Sequence, residues 1–185
     1  SDADNIHSTL EMIDQNAFEL AVDTILHAKH IYIIGIRSCA PLASFMAFYF
    51  TLMFPNVHLI QTSSSSEIFE QMVRIGKEDV IIGISFPRYS MRTLKAMEFA
   101  NNRSAKVITL TDSVHSPMNL YSSCNLIADS DMASIVDSLV APLSVINALI
   151  VALCMKKQNE VAKTLEMLED IWDEYQVYEN DEINY

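Results

Sequence analysis

Apolar positions recur along the chain in more than one rhythm. Ile6, Leu10, Ile13, Ala17 and Leu20 are separated by alternating steps of four and three, which predicts one amphipathic helix in the opening segment. Val161, Leu165, Leu168, Trp172 and Tyr175 repeat that spacing near the other end and predict a second. Between them short β-branched runs alternate with helix-length stretches. Ile31–Ile36 precedes a helix over Pro41–Phe54, Val57–Gln61 precedes Ser64–Gly76, and Val80–Ser85 precedes Ser90–Asn102. Lys106–Thr111 leads to a short turn of helix at Pro117–Tyr121, and Asn125–Ala128 to a long apolar helix over Asp137–Met155. Short strands with helical crossovers imply parallel pairing with helices on both faces. The predicted fold class is therefore α/β, a three-layer α-β-α sandwich around a five-stranded parallel sheet. Residues 1–30 form an N-terminal helix packed on the domain, residues 31–155 the α/β domain, and residues 156–185 a C-terminal amphipathic helix with an acidic tail at Glu179–Glu182.

Two apolar stretches raise the question of a membrane. Ser38–Ser66 lacks any Asp, Glu, Lys or Arg but is interrupted by Pro41, Pro55, Asn56 and His58. Leu139–Met155 carries Pro142, Ser144 and Asn147 and falls short of the ~20 apolar residues a span requires. Both are expected to be buried helices. Half of the 185 residues are hydrophobic and 19% are charged, enough to build a core. The net charge of −12 argues against a nucleic-acid surface on this chain, since phosphate backbones need clustered Lys and Arg. With three glycines (Gly35, Gly76, Gly83), neither G-x-x-x-x-G-K-[ST] nor G-x-G-x-x-G occurs. Cys39, Cys124 and Cys154 are odd in number and never in C-x-x-C spacing, which argues against a disulfide framework or a zinc site and fits a reducing, cytoplasmic setting. No His/Asp/Glu cluster has metal-ligand spacing, no cofactor is expected, and the ten methionines read mostly as core filler.

In a parallel sheet the strand-to-helix loops emerge at one edge, where ligands bind. Here those loops are rich in hydroxyls: Arg37-Ser38-Cys39, Thr62 to Glu67, Ser85 to Ser90, and Thr111 to Pro117. Several of these residues also suit helix starts. Ser64 with Glu67 has the spacing of a capping box, Ser116 precedes a proline at the first helical position, and Ser90 is placed to cap. Helix N-termini and hydroxyls together favour an anion. Arg37 and Arg88 stand in the loops, where a guanidinium grips phosphate bidentately. The stretch from Arg74 to Lys106 holds seven of the 12 basic residues against Glu78, Asp79 and Glu98. Its helix arginines, such as Arg92 and Arg103, are expected to face solvent.

These words resemble the sugar isomerase (SIS) domain, specifically the effector domain of RpiR-family transcriptional regulators. They are Ile34-Gly-Ile-Arg-Ser-Cys, Ile84-Ser-Phe-Pro-Arg-Tyr-Ser, Val107-Ile-Thr-Leu-Thr-Asp-Ser with Ser116-Pro117, and Asp137-Ser-Leu-Val-Ala-Pro-Leu with Ile146-Asn-Ala-Leu. Together they span roughly Asp4 to Met155 in the family's order. The resemblance implies an SIS-type sheet, akin to Rossmann and flavodoxin folds, and a site for the phosphate of a sugar phosphate in the loop after the third strand. On this chain Ser85 takes that loop's first hydroxyl position and Ser90 its threonine position. Pro87 and Arg88 depart from the Ser-Gly that many SIS domains carry, and Arg37 replaces the second glycine of the first loop. Cys39 stands where serine is common, with Ser38 retained beside it. The expected ligand-binding set is Arg37, Ser38, Ser64, Ser85, Arg88, Ser90 and His115. The family's regulators carry a helix-turn-helix domain, which these residues do not match; the expectation is an excised effector and oligomerisation domain, with DNA contact only through a helix-turn-helix domain outside this chain. The alternative is a catalytic aldose–ketose phosphosugar isomerase, whose base would come from Glu67, Asp137 or His115. Glu67 is accounted for by the capping box and Asp137 by the start of the long helix. The nearly all-apolar helix Pro41–Phe54 needs cover on every side and points to at least a homodimer.

Overall fold

The computed structural model describes residues 1–131, 135 and 137–178. Its centre is a parallel sheet of β1 (Ile31–Gly35), β2 (Val57–Ile60), β3 (Val80–Ile84), β4 (Lys106–Thr111) and β5 (Cys124–Ile127), in the order β2-β1-β3-β4-β5. β1 and β3 are buried along their whole length, which is why both read as unbroken apolar runs rather than as alternation. Their register pairs Ile31 with Val80 and Ile33 with Ile82. Alternate side chains feed two cores. Ile33, Ile82, Ile108 and Leu110 join the buried faces of α2 (Gln15–His27), α3 (Ala40–Thr51) and α6 (Val140–Lys156). Tyr32, Ile34, Ile81 and Val107 join α4 (Ser65–Gln71) and α5 (Met91–Asn102) on the other side. The three layers expected from the alternation of runs are present.

The opening segment departs from expectation. It forms two helices, α1 (Asp2–Met12) and α2, because the Asp14 carboxylate accepts from the amides of Asn16 at 2.8 Å and Ala17 at 3.2 Å. That cap starts a new helix after the extended residue Ile13, and the four-and-three stripe is cut. Ile6, Leu10 and Leu20 are exposed, whereas the buried positions of α1 are Asn5 and Thr9. These hold the helix by polar contacts: Asn5 Nδ2 donates to the Asp131 carbonyl at 3.2 Å, and the Asp129 amide donates to Thr9 Oγ1 at 2.8 Å.

The capping box at Ser64 does not form. The Thr62 hydroxyl donates to the Glu67 carboxylate and accepts from the Ser64 amide at 3.0 Å, so Thr62 takes the role given to Ser64. α4 ends at Gln71, earlier than its apolar pattern suggests. Ser90 and Ser116 do cap, accepting from Thr93 N at 3.3 Å and Met118 N at 3.2 Å. α6 begins at Val140, three residues after Asp137, so Asp137 is not part of that helix start. α3 and α6 bury one side each but leave Phe48, Tyr49, Val151 and Met155 exposed. α7 (Gln158–Glu174) buries none of its residues. Met46, Met53, Met72, Met97 and Met118 are core, but Met12, Met91, Met155 and Met167 are exposed. Among the described residues no single helix is long and apolar enough to cross a membrane; α6 and α7 pass together but are bent by 97°. The acidic tail expected at Glu179–Glu182 lies outside the described residues.

Candidate functional site

The strand order creates the site. After β1 the chain turns to β2 on one side, and after β3 it turns to β4 on the other, so the two loops part and leave a crevice at the carboxyl edge. A cavity of 510 Å³ occupies it. One wall is Ile36, Arg37, Ser38 and Cys39 after β1; the other is Ser85 to Arg92 after β3, with Asp137 completing the rim. Gly35 permits this geometry: a Cβ there would stand 2.6 Å from the Cys39 carbonyl oxygen and 3.1 Å from Ala43 Cβ. The Arg37–Cys39 turn of 3₁₀ helix can therefore lie directly against the end of β1.

The hydroxyls on the β3 wall are set as donors. Ser85 is 4% exposed, and its Oγ accepts from the Ser90 amide at 2.9 Å. Ser90 Oγ accepts from Thr93 N as the cap of α5. With each oxygen already accepting a backbone N–H, each hydroxyl has a hydrogen to give, and no acceptor takes it among the described residues. The first-turn amides of α5 and its positive end face the same hollow.

Arg37 and Arg88 are in the left-handed region, at φ 59° and 61°. Ser104 and Gln176 share that conformation but follow the ends of α5 and α7, a routine place for it. None of the three glycines has positive φ. The chain thus places arginine where glycine would be unstrained, at two points on one cavity. Among the described residues neither arginine forms an ion pair. Arg92 is exposed, as expected, and also lines the cavity rim, so three arginines and Asp137 share that lining.

Tyr89 braces the loop by donating to Asp112 Oδ1 at 2.8 Å, and Thr111 Oγ1 donates to the same carboxylate oxygen at 3.1 Å. Burial, then this bond to Asp112, holds the Tyr89 phenol above its usual pKa. Burial also raises the Cys39 thiol, away from the reactive thiolate form. Of the residues singled out from sequence, Arg37, Ser38, Ser85, Arg88 and Ser90 come together on this cavity. Ser64 and His115 lie outside it; the His115 amide donates to Ser113 Oγ at 3.1 Å and the residue is exposed. Asp137 and Tyr89 were not foreseen in the binding set. Tyr89 could have been found from its place between Arg88 and Ser90, whereas Asp137 had been assigned to a helix that starts later. Two further cavities adjoin. One of 680 Å³ shares Arg88 and Asp137, and one of 360 Å³ shares Arg37.

A family model for the SIS domain matches residues 24–152. The chain belongs to the SIS domain family. Over 90% of its length this SIS domain is 25% identical to an uncharacterized HTH-type transcriptional regulator of Caldanaerobacter subterraneus. It spans 60% of that relative's length. Its fold is similar to the sugar isomerase domain of an RpiR transcription factor from Sphaerobacter thermophilus, with a TM-score of 0.87 at 24% identity, covering 91% of this chain and 94% of that one. It is also similar to the Vibrio vulnificus NanR protein complexed with ManNAc-6P, with a TM-score of 0.81 at 18% identity over 97% of this chain and 67% of that one. Phosphoheptose isomerase GmhA from Neisseria gonorrhoeae matches with a TM-score of 0.69 at 15% identity, covering 82% and 92%.

Proposed function

We propose that this SIS domain is the effector-binding and oligomerisation domain of a bacterial RpiR-type transcriptional regulator, and that its effector is a sugar phosphate. The observation that carries the reading is the convergence on one cavity of two hydroxyl donors, Ser85 and Ser90, the positive end of α5, and the unpaired guanidinium groups of Arg37 and Arg88. Phosphate takes the hydroxyl hydrogens and first-turn amides, and Arg88 closes over it as a bidentate partner. Ser38 offers a further hydroxyl from the opposite wall. Ser64 and His115 approach the ligand only if it extends beyond the cavity. The protein acts in the cytoplasm as at least a homodimer, and it reaches DNA through a helix-turn-helix domain outside this chain. Ligand binding there favours one geometry of the paired domains and so the spacing of their DNA-binding partners.

Catalysis is the second reading, and Asp137 is the observation that favours it. It is the one carboxylate among the described residues lining the 510 Å³ cavity, and isomerisation needs a base beside the bound sugar. Glu67 is held by Thr62 and His115 stands outside the cavity, so Asp137 would work alone. The sensor reading needs no such group.

A thermal-shift panel of sugar phosphates and their unphosphorylated counterparts tests the proposal. At a hundredfold excess over Kd, stabilisation is about 2.7 kcal/mol. The expected response is confined to phosphorylated members and is lost in Arg88→Ala and Ser90→Ala, each read against its own ligand-free baseline because Ser90 is also a cap. A panel with no phosphate dependence refutes the site, and turnover of any member establishes the enzyme.

A further inference from the structure

We infer that α7 is an exchanged arm: in the homodimer each α7 lays its apolar stripe on the α3–α6 face of the other copy. This rests on the homodimer of the proposed function and names the surfaces that form it. α7 starts one residue after α6, across Lys157, at a bend of 97°. Val161 in its first turn packs on the chain's own core, but Leu165, Leu168 and Trp172 join neither apolar core. None of the helix's 17 residues is buried. A helix of that length with its stripe in water is marginal, because its stability comes from packing the stripe. Covering the stripe takes a surface that the chain's own fold does not bring to it.

A surface of matching character lies on the same molecule. α3 and α6 end side by side: Cys154 Sγ is 3.5 Å from Met53 Sδ, and Lys157 Nζ is 4.7 Å from the centroid of the Phe54 ring. Near those ends Phe48, Tyr49, Val151 and Met155 are exposed, and the rings of Phe48 and Tyr49 meet edge to face at 5.1 Å. Charge selects α7 as the occupant. In α7, Glu160, Glu166, Glu169, Asp170, Asp173 and Glu174 stand against Lys163 alone, so two α7 helices laid on each other would bring like charges together. α3 has no charged residue, and α6 has only Lys156, with Lys157 following it. These two helices thus offer the acidic arm an apolar surface with no carboxylate of their own and two lysines at its end. The pairing is reciprocal as well. Each copy brings one arm and one face, so a two-fold axis closes the assembly at two copies.

The experiment is cross-linking of the full chain with a short bismaleimide in a Cys154→Ser background, where the remaining Cys39 and Cys124 are buried. The double variant Phe48→Cys/Leu165→Cys is expected to give a covalent dimer as its main product, and neither single variant is. A covalent dimer from Phe48→Cys alone would set two α3–α6 faces together, and one from Leu165→Cys alone would set α7 on α7. An internally linked monomer of the double variant would fold α7 back on its own chain, and no link in any variant would separate the arm from the face. Each of these overturns the exchange and leaves the sugar-phosphate reading standing. Trp172, the one tryptophan of the chain, gives a second readout without substitution. Dilution that lowers the light-scattering mass of the wild type from dimer to monomer is expected to shift its emission to the red. Emission unchanged through that dissociation overturns the exchange alone, and a wild type that is monomeric at every concentration overturns the exchange and the homodimer together.

Discussion

At φ 59° and 61°, Arg37 and Arg88 occupy backbone that costs a residue with a side chain about 1–2 kcal/mol. Both line one cavity, and neither is paired among the described residues. Strain of this kind persists where the side chain is needed. Arg88→Gly is therefore expected to unfold no more easily than wild type in urea while losing its response to sugar phosphates. Arg88→Val, whose β-branch tolerates the same backbone less well than the unbranched arginine, is expected to be less stable than wild type. An Arg88→Gly variant that unfolds as easily as Arg88→Val would show that the left-handed backbone is not the source of the strain. The residue types were legible in the sequence as anion ligands. Their conformation was not, because a loop's φ follows from how its two ends are anchored.

Edge strand β2 is tied to β1 by a device that the run Val57–Ile60 does not announce. The rings of His30 and His58 stack with centroids 5.1 Å apart, His58 stacks on Tyr32 at 4.7 Å, and His30 Nδ1 lies 2.9 Å from His58 Nε2. A bond between two imidazole nitrogens needs one ring to donate and the other to accept, so the two rings cannot both be protonated. Burial, followed by the charge of His30, lowers the His58 pKa from its ordinary 6.5. A base whose folded pKa is depressed contributes stability that is present above the unfolded value and lost as pH falls through the folded one. Stability against urea is thus expected to fall as pH drops below about 6.5. In His58→Leu, which keeps an apolar partner for Tyr32, that part of the fall should vanish. An unchanged slope in the variant removes the pair from any role in acid sensitivity. Helix boundaries teach the same lesson at this scale: the spacing of Ser64 and Glu67 suits a capping box, but Thr62 reaches the carboxylate instead.

At the scale of the molecule, exposed apolar surface gathers on the α3–α6 face. Phe48 is 64% and Met155 67% exposed, with Tyr49 and Val151 beside them in the same two helices. α7 adds a stripe of Leu165, Leu168 and Trp172 without a buried residue, and a helix of this length draws most of its stability from packing that stripe. Static light scattering is expected to give at least twice the 20.9 kDa of one chain, and Phe48→Asp to move the mass toward the monomer. A monomeric wild type would withdraw the proposed link between ligand and subunit geometry.

The order of apolar runs by itself determined the α/β class, the five strands and the edge at which ligand chemistry collects, because period and length report burial directly. Composition removed nucleotide loops, disulfides and a basic nucleic-acid surface from consideration. Only the tertiary structure decided that β1 and β3 are neighbours with their connections diverging, and so that Arg37 and Arg88, far apart in the chain, share a hollow that excludes Ser64 and His115. It also decided that Asp137 belongs to that hollow rather than to a helix cap, and that Asp14 splits the opening stripe in two. Local pattern encodes which residues are buried; which loops meet depends on strand order, a property of long-range packing that no short window of sequence contains.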